Sequence, residues 1–218
     1  MSRRLPLRSV LARRVSSIPG GRQFVQAARI LAGDAKPHEQ WQRVVLNRTI
    51  REWVDALKPE SLDALEISGE SWPRHGYFRS HRGVDFPEFD VCADRLEDQF
   101  DLVIAEQVFE HVPYPYRAAR NVLAMLRPGG RFLIATPFLV KIHACPLDCS
   151  RWTESGLRYF LEDCGFPPEG IRTASWGNRS CVKANLRSRW PIYVRGLHSL
   201  RNDPEYPIQV WAMAAAPS

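Results

Sequence analysis

Three short and nearly unbroken apolar runs constrain the fold of this chain more than any other feature. They are ALEI at 64–67, DLVIA at 101–105 and RFLIA at 131–135. Runs of this length without polar alternation are typical of parallel strands that helices bury on both faces. The segment YRAARNVLAMLRPGG between the last two has an apolar stripe at helical spacing, and Pro128-Gly129-Gly130 is predicted to end that helix. The sequence therefore predicts strand, helix, strand.

The flanking segments extend this pattern on both sides. Apolar residues at helical spacing predict a helix from His38 to Leu57. A second helix is predicted from Thr153, as N-cap, to Gly165. GIRTASW and IQVWAMAAA are predicted to be two closing strands, separated by an irregular insertion at about 178–207. The predicted fold class is α/β, with one doubly wound, mostly parallel sheet. A basic arm and helical cap over 1–60 precede the core over 61–218.

Composition limits the class of protein. With 218 residues and 44% apolar content, the chain is long enough to bury one full core. The five cysteines are odd in number and irregularly spaced, and no secretory signal precedes them, so we expect reduced thiols and a cytoplasmic location. No run of about 20 apolar residues is present, so no membrane span is expected.

The net charge of +6 is unevenly distributed. No acidic residue precedes Asp34, whereas seven arginines do, interleaved with apolar residues. Such an arm is either a solvated terminus or a contact for an acidic partner or membrane surface, and the sequence leaves both open. Because no nucleic-acid-binding module is recognisable, nucleic acid is not the expected partner. The oligomeric state is left open.

Polar residues follow each predicted strand, at the edge where a doubly wound sheet binds its ligand. Glu66 lies near the end of the first strand, and Ser68-Gly69-Glu70 follow it as a ligand-binding loop or a simple tight turn. Asp85, after RGVDF, is placed either to accept from a ribose hydroxyl or to stand in a surface turn. Asp94 follows a predicted third short strand, and Glu106 and Gln107 follow the next strand.

Four phrases together resemble the successive motifs of class I S-adenosylmethionine-dependent methyltransferases, particularly the small type-11 group. They are LEISG, VCADRLEDQFDLVIAEQVFEHV, MLRPGGRFLIATPF and RWTESGLRYFLEDCGF, within residues 60 to 168. The resemblance implies a Rossmann-like fold with S-adenosylmethionine as cofactor. It also implies that Glu66, Ser68 and Gly69, with Glu70 beside them, line the methionine end and that Asp85 holds the ribose. By the same resemblance Ala93, Asp94 and Leu96 border the adenine, and Glu106 and Gln107 face the cofactor.

A second group of polar residues, KIHACPLDCSRWT, follows the strand RFLIA. His143 is a candidate general base, and Arg151 is predicted either to orient an acidic group or to be held by Asp148. The alternative is a loop fixed by an Asp148 to Arg151 salt bridge, with His143 on its rim. Cys145 and Cys149 beside His143 match no common zinc spacing, so no metal site is predicted.

The predicted function is S-adenosylmethionine-dependent methyl transfer to a small-molecule acceptor, with oxygen or nitrogen favoured and specialised-metabolite or glycan biosynthesis as its context. The candidate catalytic residues are His143, Asp148 and Arg151. Two alternatives are an RNA methyltransferase that uses the basic arm and a methyltransferase fold kept as a binding subunit without activity. The pattern does not identify the acceptor atom, because loops rather than the fold determine it.

Overall fold

The computed structural model describes residues 39–69, 72, 76–144, 146–188 and 190–218. The predicted basic arm and the start of the helix predicted from His38 lie outside them. The helices are α1 Val44–Asp55, α2 Pro115–Ala124, α3 Glu154–Asp163 and α4 Arg179–Arg187. The strands are β1 Asp63–Ile67, β2 Ser80–Val84, β3 Phe100–Glu106, β4 Leu126–Pro137, β5 Ile171–Trp176 and β6 Gln209–Ala215. Short 3-10 helices span Trp41–Arg43, Pro59–Ser61, Phe109–His111 and Pro168–Gly170.

One six-stranded sheet has the order β2-β1-β3-β4-β6-β5. The strands β2, β1, β3 and β4 pair in parallel, and β6 is antiparallel to both of its neighbours. The predicted mostly parallel α/β sheet is therefore confirmed. From β1 the chain passes to β2 on one side, whereas β3 lies on the other side and is followed by β4, so strand order reverses between β1 and β3.

Helices cover both faces of the sheet, as the doubly wound prediction requires. On one face, Val122 of α2 and Leu157 and Leu161 of α3 pack on the inward-facing residues of β3 and β4. On the other face, α1 and α4 pack against the opposite residues of the same strands. Fully burying one such aliphatic or aromatic side chain stabilises the fold by roughly 1.5–3 kcal/mol. Because α1 shares its core with the sheet, it forms part of the same packed body.

The chain between 179 and 187 is helical, so the predicted irregular insertion is wrong over this range. The Asn178 side chain accepts from the backbone N–H of Cys181 at 2.9 Å and thereby caps α4. Cys181, Val182 and Asn185 are buried along the helix. An Asn followed by apolar residues at i+3 and i+4 was the sequence signal for this helix.

Pro128-Gly129-Gly130 lies inside β4, although it was predicted to end the preceding helix. The ladder with β3 shifts register here, between the Phe100 and Leu102 pairings. Gly129 has φ +70°, and a Cβ on Gly130 would lie 2.9 Å from a backbone carbonyl oxygen. Glycine therefore permits a bulge within a long strand. The local sequence had predicted the end of a helix at the same residues.

The predicted third short strand before Asp94 is not a strand. The residues at 91–93 form a turn instead. Asp94 closes this turn, since its backbone N–H donates to the Asp90 carbonyl at 2.7 Å and its carboxylate accepts from the Asp90 N–H at 2.7 Å. The strand β2 is consequently the edge of the sheet. Within the part of the chain described above, no helix combines the length and apolar content needed to cross a bilayer.

Candidate active site

The carboxyl ends of β1 and β3 lie side by side where strand order reverses. The first residue after β1, Ser68, has φ 51°, and the first after β3, Gln107, has φ 58°. The backbone N–H of Ser68 donates to Val84 at 2.8 Å, and that of Gln107 donates to Ala135 at 2.7 Å. Each turn is thus fixed to the neighbouring strand. A crevice between two such turns is where doubly wound sheets bind a ligand.

Glu66 places a buried carboxylate at this edge. Glu66 is 1% exposed, and its Oε2 lies 3.0 Å from Nε2 of His81 on β2. A Cβ added to Gly69 would lie 2.5 Å from Glu66 Oε1. Only glycine lets the loop backbone approach the carboxylate this closely. A carboxylate cradled against loop backbone fits the predicted methionine end of S-adenosylmethionine, which carries an ammonium group.

Glu106 ends β3 on the same face as Glu66, and two residues of the chain hold it. Its Oε2 accepts from Arg43 at 2.6 Å, and its Oε1 accepts from the Trp72 indole at 2.6 Å. Burial raises the pKa of Glu106, an effect opposed by the Arg43 charge and the indole hydrogen bond. Glu106 therefore links the segment before α1 and the loop after β1 to the sheet. Each carboxylate oxygen has a further lone pair, so the direct contact with a cofactor predicted for Glu106 stays a prediction.

Gln107 points its side chain along the sheet. Its Nε2 donates to Oε1 of Gln209 on β6 at 2.8 Å, and Gln209 is fully buried. The predicted role of Gln107 toward the cofactor stays a prediction. Its left-handed backbone places the following residues, from 108 to 111, above the end of β3.

The remaining predicted cofactor residues lie on the connection from β2 to β3. Asp85 follows β2 directly and is exposed, and its carboxylate accepts from the backbone N–H of Phe86 at 2.9 Å. Ala93 and Asp94 are exposed on the turn described above. Glu70 lies outside the described residues.

Leu96 is placed differently from these residues. Its backbone N–H faces Sδ of Met125 at 3.3 Å, and the Met125 carbonyl accepts from the first residue of β3. Leu96 therefore lies toward the amino-terminal edge of the sheet, and the structure does not bring it together with Glu66 and Glu106.

Three side chains converge beside the crevice, just beyond β3 and β4. Glu110 is fully buried, and neither of its carboxylate oxygens has a hydrogen-bond partner among the described residues. Its Oε1 lies 3.7 Å from Nε2 of His111 and 4.0 Å from Nε2 of His143. The two imidazole rings meet edge to face with their centroids 5.0 Å apart. We refer to Glu110, His111 and His143 as the Glu-His-His cluster.

Burial changes the protonation of this cluster. Burial raises the pKa of Glu110 to about 7, against the opposing effects of its own backbone N–H and the Arg151 charge. Burial lowers the pKa of His143, and the neighbouring His111 lowers it further. Near neutral pH His143 is therefore predominantly the neutral imidazole, which has a lone pair available.

Asp148 holds the loop that carries His143. Its carboxylate accepts from the backbone N–H of His143 at 2.8 Å and from Nη2 of Arg151 at 2.7 Å, and it lies 3.5 Å from Nδ1 of the His143 ring. Burial raises the pKa of Asp148, but the hydrogen bonds from Arg151 and His143 outweigh that effect and leave it below its usual value. Trp190 packs edge-on against the His143 ring, with centroids 5.2 Å apart. The Asp148 to Arg151 ion pair, one of the alternatives that the sequence left open, is present, and Asp148 also fixes the backbone of His143.

Sequence reasoning missed Glu110, His111, Arg43 and Trp72 as residues of the site. Glu110 lies in the segment Glu110-His111-Val112. A carboxylate directly before a histidine and just after a buried strand was the sequence signal for a site residue there. Arg43 and Trp72 carried no local signal, because each meets Glu106 across a long sequence separation.

Comparison with known proteins identifies the type of domain. A family model described as a methyltransferase domain matches residues 40–169. A curated relative, the ubiquinone biosynthesis O-methyltransferase of Aeromonas salmonicida (strain A449), is 41% identical over 44 residues. That segment covers 20% of this chain and 18% of the relative.

Solved structures share the fold at low sequence identity. Phosphoethanolamine N-methyltransferase 2 of Haemonchus contortus, solved with phosphomonomethylethanolamine and S-adenosylhomocysteine, superposes with a TM-score of 0.53 at 12% identity. The match covers 79% of this chain and 53% of that one, so this chain spans about half the length of that enzyme. The YcgJ protein of Bacillus subtilis gives a TM-score of 0.52 at 11% identity, over 79% of this chain and 99% of its own.

Proposed function

Because this chain belongs to the methyltransferase domain family and its methyl donor is S-adenosylmethionine, we propose that it transfers the methyl group to a hydroxyl of a small-molecule acceptor. The observation that carries the proposal is the Glu-His-His cluster, a buried carboxylate flanked by two partly exposed imidazoles beside the crevice at the ends of β1 and β3. The short alignment with an O-methyltransferase also supports oxygen as the acceptor atom.

On the donor side, Glu66 and the loop backbone at Ser68 and Gly69 would hold the methionine end of the donor. Asp85 would accept from its ribose, with Ala93 and Asp94 nearby. Glu106 holds Arg43 and Trp72 through its two oxygens and would face the donor from the end of β3. These residues therefore fix the walls of the site. The bound donor supplies an electrophilic methyl group on a sulfonium, so alignment and exclusion of water carry most of the rate acceleration.

On the acceptor side, a hydroxyl must lose its proton as its oxygen takes the methyl group. His143 is the group placed to take that proton, since its Nε2 faces the centre of the cluster. Asp148 fixes the backbone of His143 through the N–H hydrogen bond, its carboxylate lies 3.5 Å from Nδ1 of the ring, and Arg151 holds Asp148. Asp148 and Arg151 are therefore positioning residues. The free thiols of the four described cysteines agree with the reducing, cytoplasmic setting that we propose.

The test is transfer of a radioactive methyl group from S-adenosylmethionine by the purified chain. Two acceptor pools are offered, a panel of hydroxylated small molecules and total cellular RNA. We expect label in the small-molecule pool, strongly reduced in His143→Ala, and none in RNA. Label in RNA alone would contradict the proposal and favour the nucleic-acid alternative. Retention of cofactor binding without transfer to any hydroxyl or amine would favour a binding subunit instead.

A further inference from the structure

We propose that the Glu-His-His cluster binds a divalent first-row transition-metal cation through one carboxylate and two imidazoles. The three ligand atoms all lie within 4.8 Å of one another. Bonds of about 2.0–2.2 Å to a tetrahedral cation would place such atoms about 3.3 Å apart, so each needs to move by about 1 Å or less. Two imidazoles and a carboxylate are a donor set that Zn²⁺ and its neighbours prefer over Mg²⁺.

The state of Glu110 points independently to a ligand. Its side chain is fully buried, and both oxygens lack a hydrogen-bond partner among the described residues. An unpaired buried carboxylate is costly, and a structural role alone would be filled at lower cost by an apolar side chain. A cation between Glu110 and the two imidazoles would satisfy these oxygens.

The orientation of the two imidazoles also fits metal binding. Nδ1 of His111 faces the carbonyl oxygen of Leu147, and Nδ1 of His143 faces the Asp148 carboxylate at 3.5 Å. The carbonyl acceptor beside Nδ1 of His111 favours the proton there, which directs the Nε2 lone pair of His111 toward Glu110, and the nearby Asp148 charge favours the same tautomer of His143. Histidines that bind metals are held by outer partners of this kind.

Three protein ligands leave a fourth coordination position open, as in catalytic zinc sites. The His111 and His143 side chains are 20% and 15% exposed, so a small molecule can reach this position. There the acceptor hydroxyl would bind the cation, which lowers its pKa so that the proton passes to solvent water. The oxygen then forms its bond to the methyl carbon as the bond from that carbon to sulfur breaks. With the cation bound, Nε2 of His143 is a ligand, so the general-base role proposed above applies only to the metal-free chain, and the activity of the stripped chain distinguishes the two roles.

Methyl transfer to a metal-bound hydroxyl rests on the proposed function, whereas metal binding itself does not.

The sequence predicted no metal site because His143 was considered together with the nearby cysteines. Glu110 lies 33 positions earlier in the chain and completes the donor set. The binding test must therefore separate the cluster from the exposed thiol of Cys149, which also lies close to His111.

Binding is measured by titrating Zn²⁺ into the chelator-stripped full chain by calorimetry, with Co²⁺ absorption as a spectroscopic check. We expect one site per chain, at least 10-fold weaker in Glu110→Gln and in His143→Gln and unchanged in Cys149→Ser. Circular dichroism and thermal unfolding of the metal-free variants show whether the fold is intact. Absence of binding, or equal binding by folded Glu110→Gln, overturns the site. Loss in Cys149→Ser alone would also overturn it.

Catalytic use is tested separately, in the methyl-transfer assay. Stripping the metal is expected to lower turnover at least 10-fold, and Zn²⁺ or Co²⁺ is expected to restore it. Binding of S-adenosylhomocysteine should be unaffected by stripping. Turnover that is unchanged in the stripped chain refutes the catalytic role of the cation while leaving the proposed methyl transfer standing.

Discussion

Arg43 is the cation that faces the buried carboxylate of Glu106, and replacing it with alanine measures how strongly the crevice wall depends on that pair. Nη2 of Arg43 and Oε2 of Glu106 lie 2.6 Å apart, and the Arg43 side chain is 24% exposed whereas the Glu106 side chain is 7% exposed. Removing one partner of a fully buried pair costs about 3–5 kcal/mol, and an exposed pair contributes about 0–1 kcal/mol. Because Arg43 is one quarter exposed, we expect Arg43→Ala to lower the free energy of unfolding by about 2 kcal/mol.

Urea denaturation at pH 7 measures this loss, and thermal unfolding should show a decrease in Tm of about 4–8 °C for a chain of this size. Glu106→Gln keeps an acceptor for the Trp72 indole and removes the buried charge, so it should cost about 1 kcal/mol or less. The double variant should be no less stable than Arg43→Ala alone, since the unpaired charge is gone.

A control replaces Arg82, whose ion pair with Asp98 is largely exposed, and should cost less than about 1 kcal/mol. The reasoning from burial is refuted if the free energy of unfolding of Arg43→Ala is within about 0.5 kcal/mol of that of the parent. It is also refuted if the losses of Arg43→Ala and Glu106→Gln simply add in the double variant.

Three further predictions concern other parts of the molecule. A Cβ on Gly177 would lie 2.0 Å from a backbone carbonyl oxygen, so Gly177→Ala should cost about 2–4 kcal/mol in urea denaturation, whereas Gly83→Ala, with open space around it, should change stability by about 0.5 kcal/mol or less. His143→Ala should lower kcat by about 10² to 10⁴ with little change in cofactor affinity, and near-parental turnover would remove His143 from the chemistry. Hydrogen bonds from Arg79 hold the pKa of Asp63 well below its usual range, so this carboxylate stabilises the fold above about pH 4 and loses that effect as pH falls. Between about pH 4.5 and 2.5, the urea midpoint of Asp63→Asn should accordingly change less than that of the parent. An equal change of the urea midpoint with pH in the two proteins would contradict this.

The strands and helices that sequence predicted correctly are those with a local cause. Buried strands such as β3 need only an apolar run, and α3 begins where Thr153 accepts from the Gly156 N–H at 3.1 Å, as its residue type suggested. The glycines within β4 depended instead on a register shift against β3. No local pattern encodes such a shift, because it depends on which strand becomes the neighbour.

The candidate site shows the same division between local and long-range causes. The ion pair between Asp148 and Arg151 joins residues three positions apart and was one of the alternatives that the sequence left open. The contact of Arg43 with Glu106 joins residues 63 positions apart, and the meeting of Glu110 with His143 depends on the parallel pairing of β3 and β4. Sequence therefore identified most of the residue types at the site, while the partner of each buried carboxylate required the fold.

Calorimetric titration with S-adenosylhomocysteine tests the central claim, that this chain binds its methyl donor in the crevice between β1 and β3. We expect one site per chain in the low-micromolar range or weaker, corresponding to about 8 kcal/mol or less. Glu66→Gln and Asp85→Ala should each weaken binding by about 10-fold, or about 1.4 kcal/mol, while the exposed Asp98→Ala should leave it unchanged. No detectable binding, or parental affinity in both Glu66→Gln and Asp85→Ala, would contradict this placement of the donor.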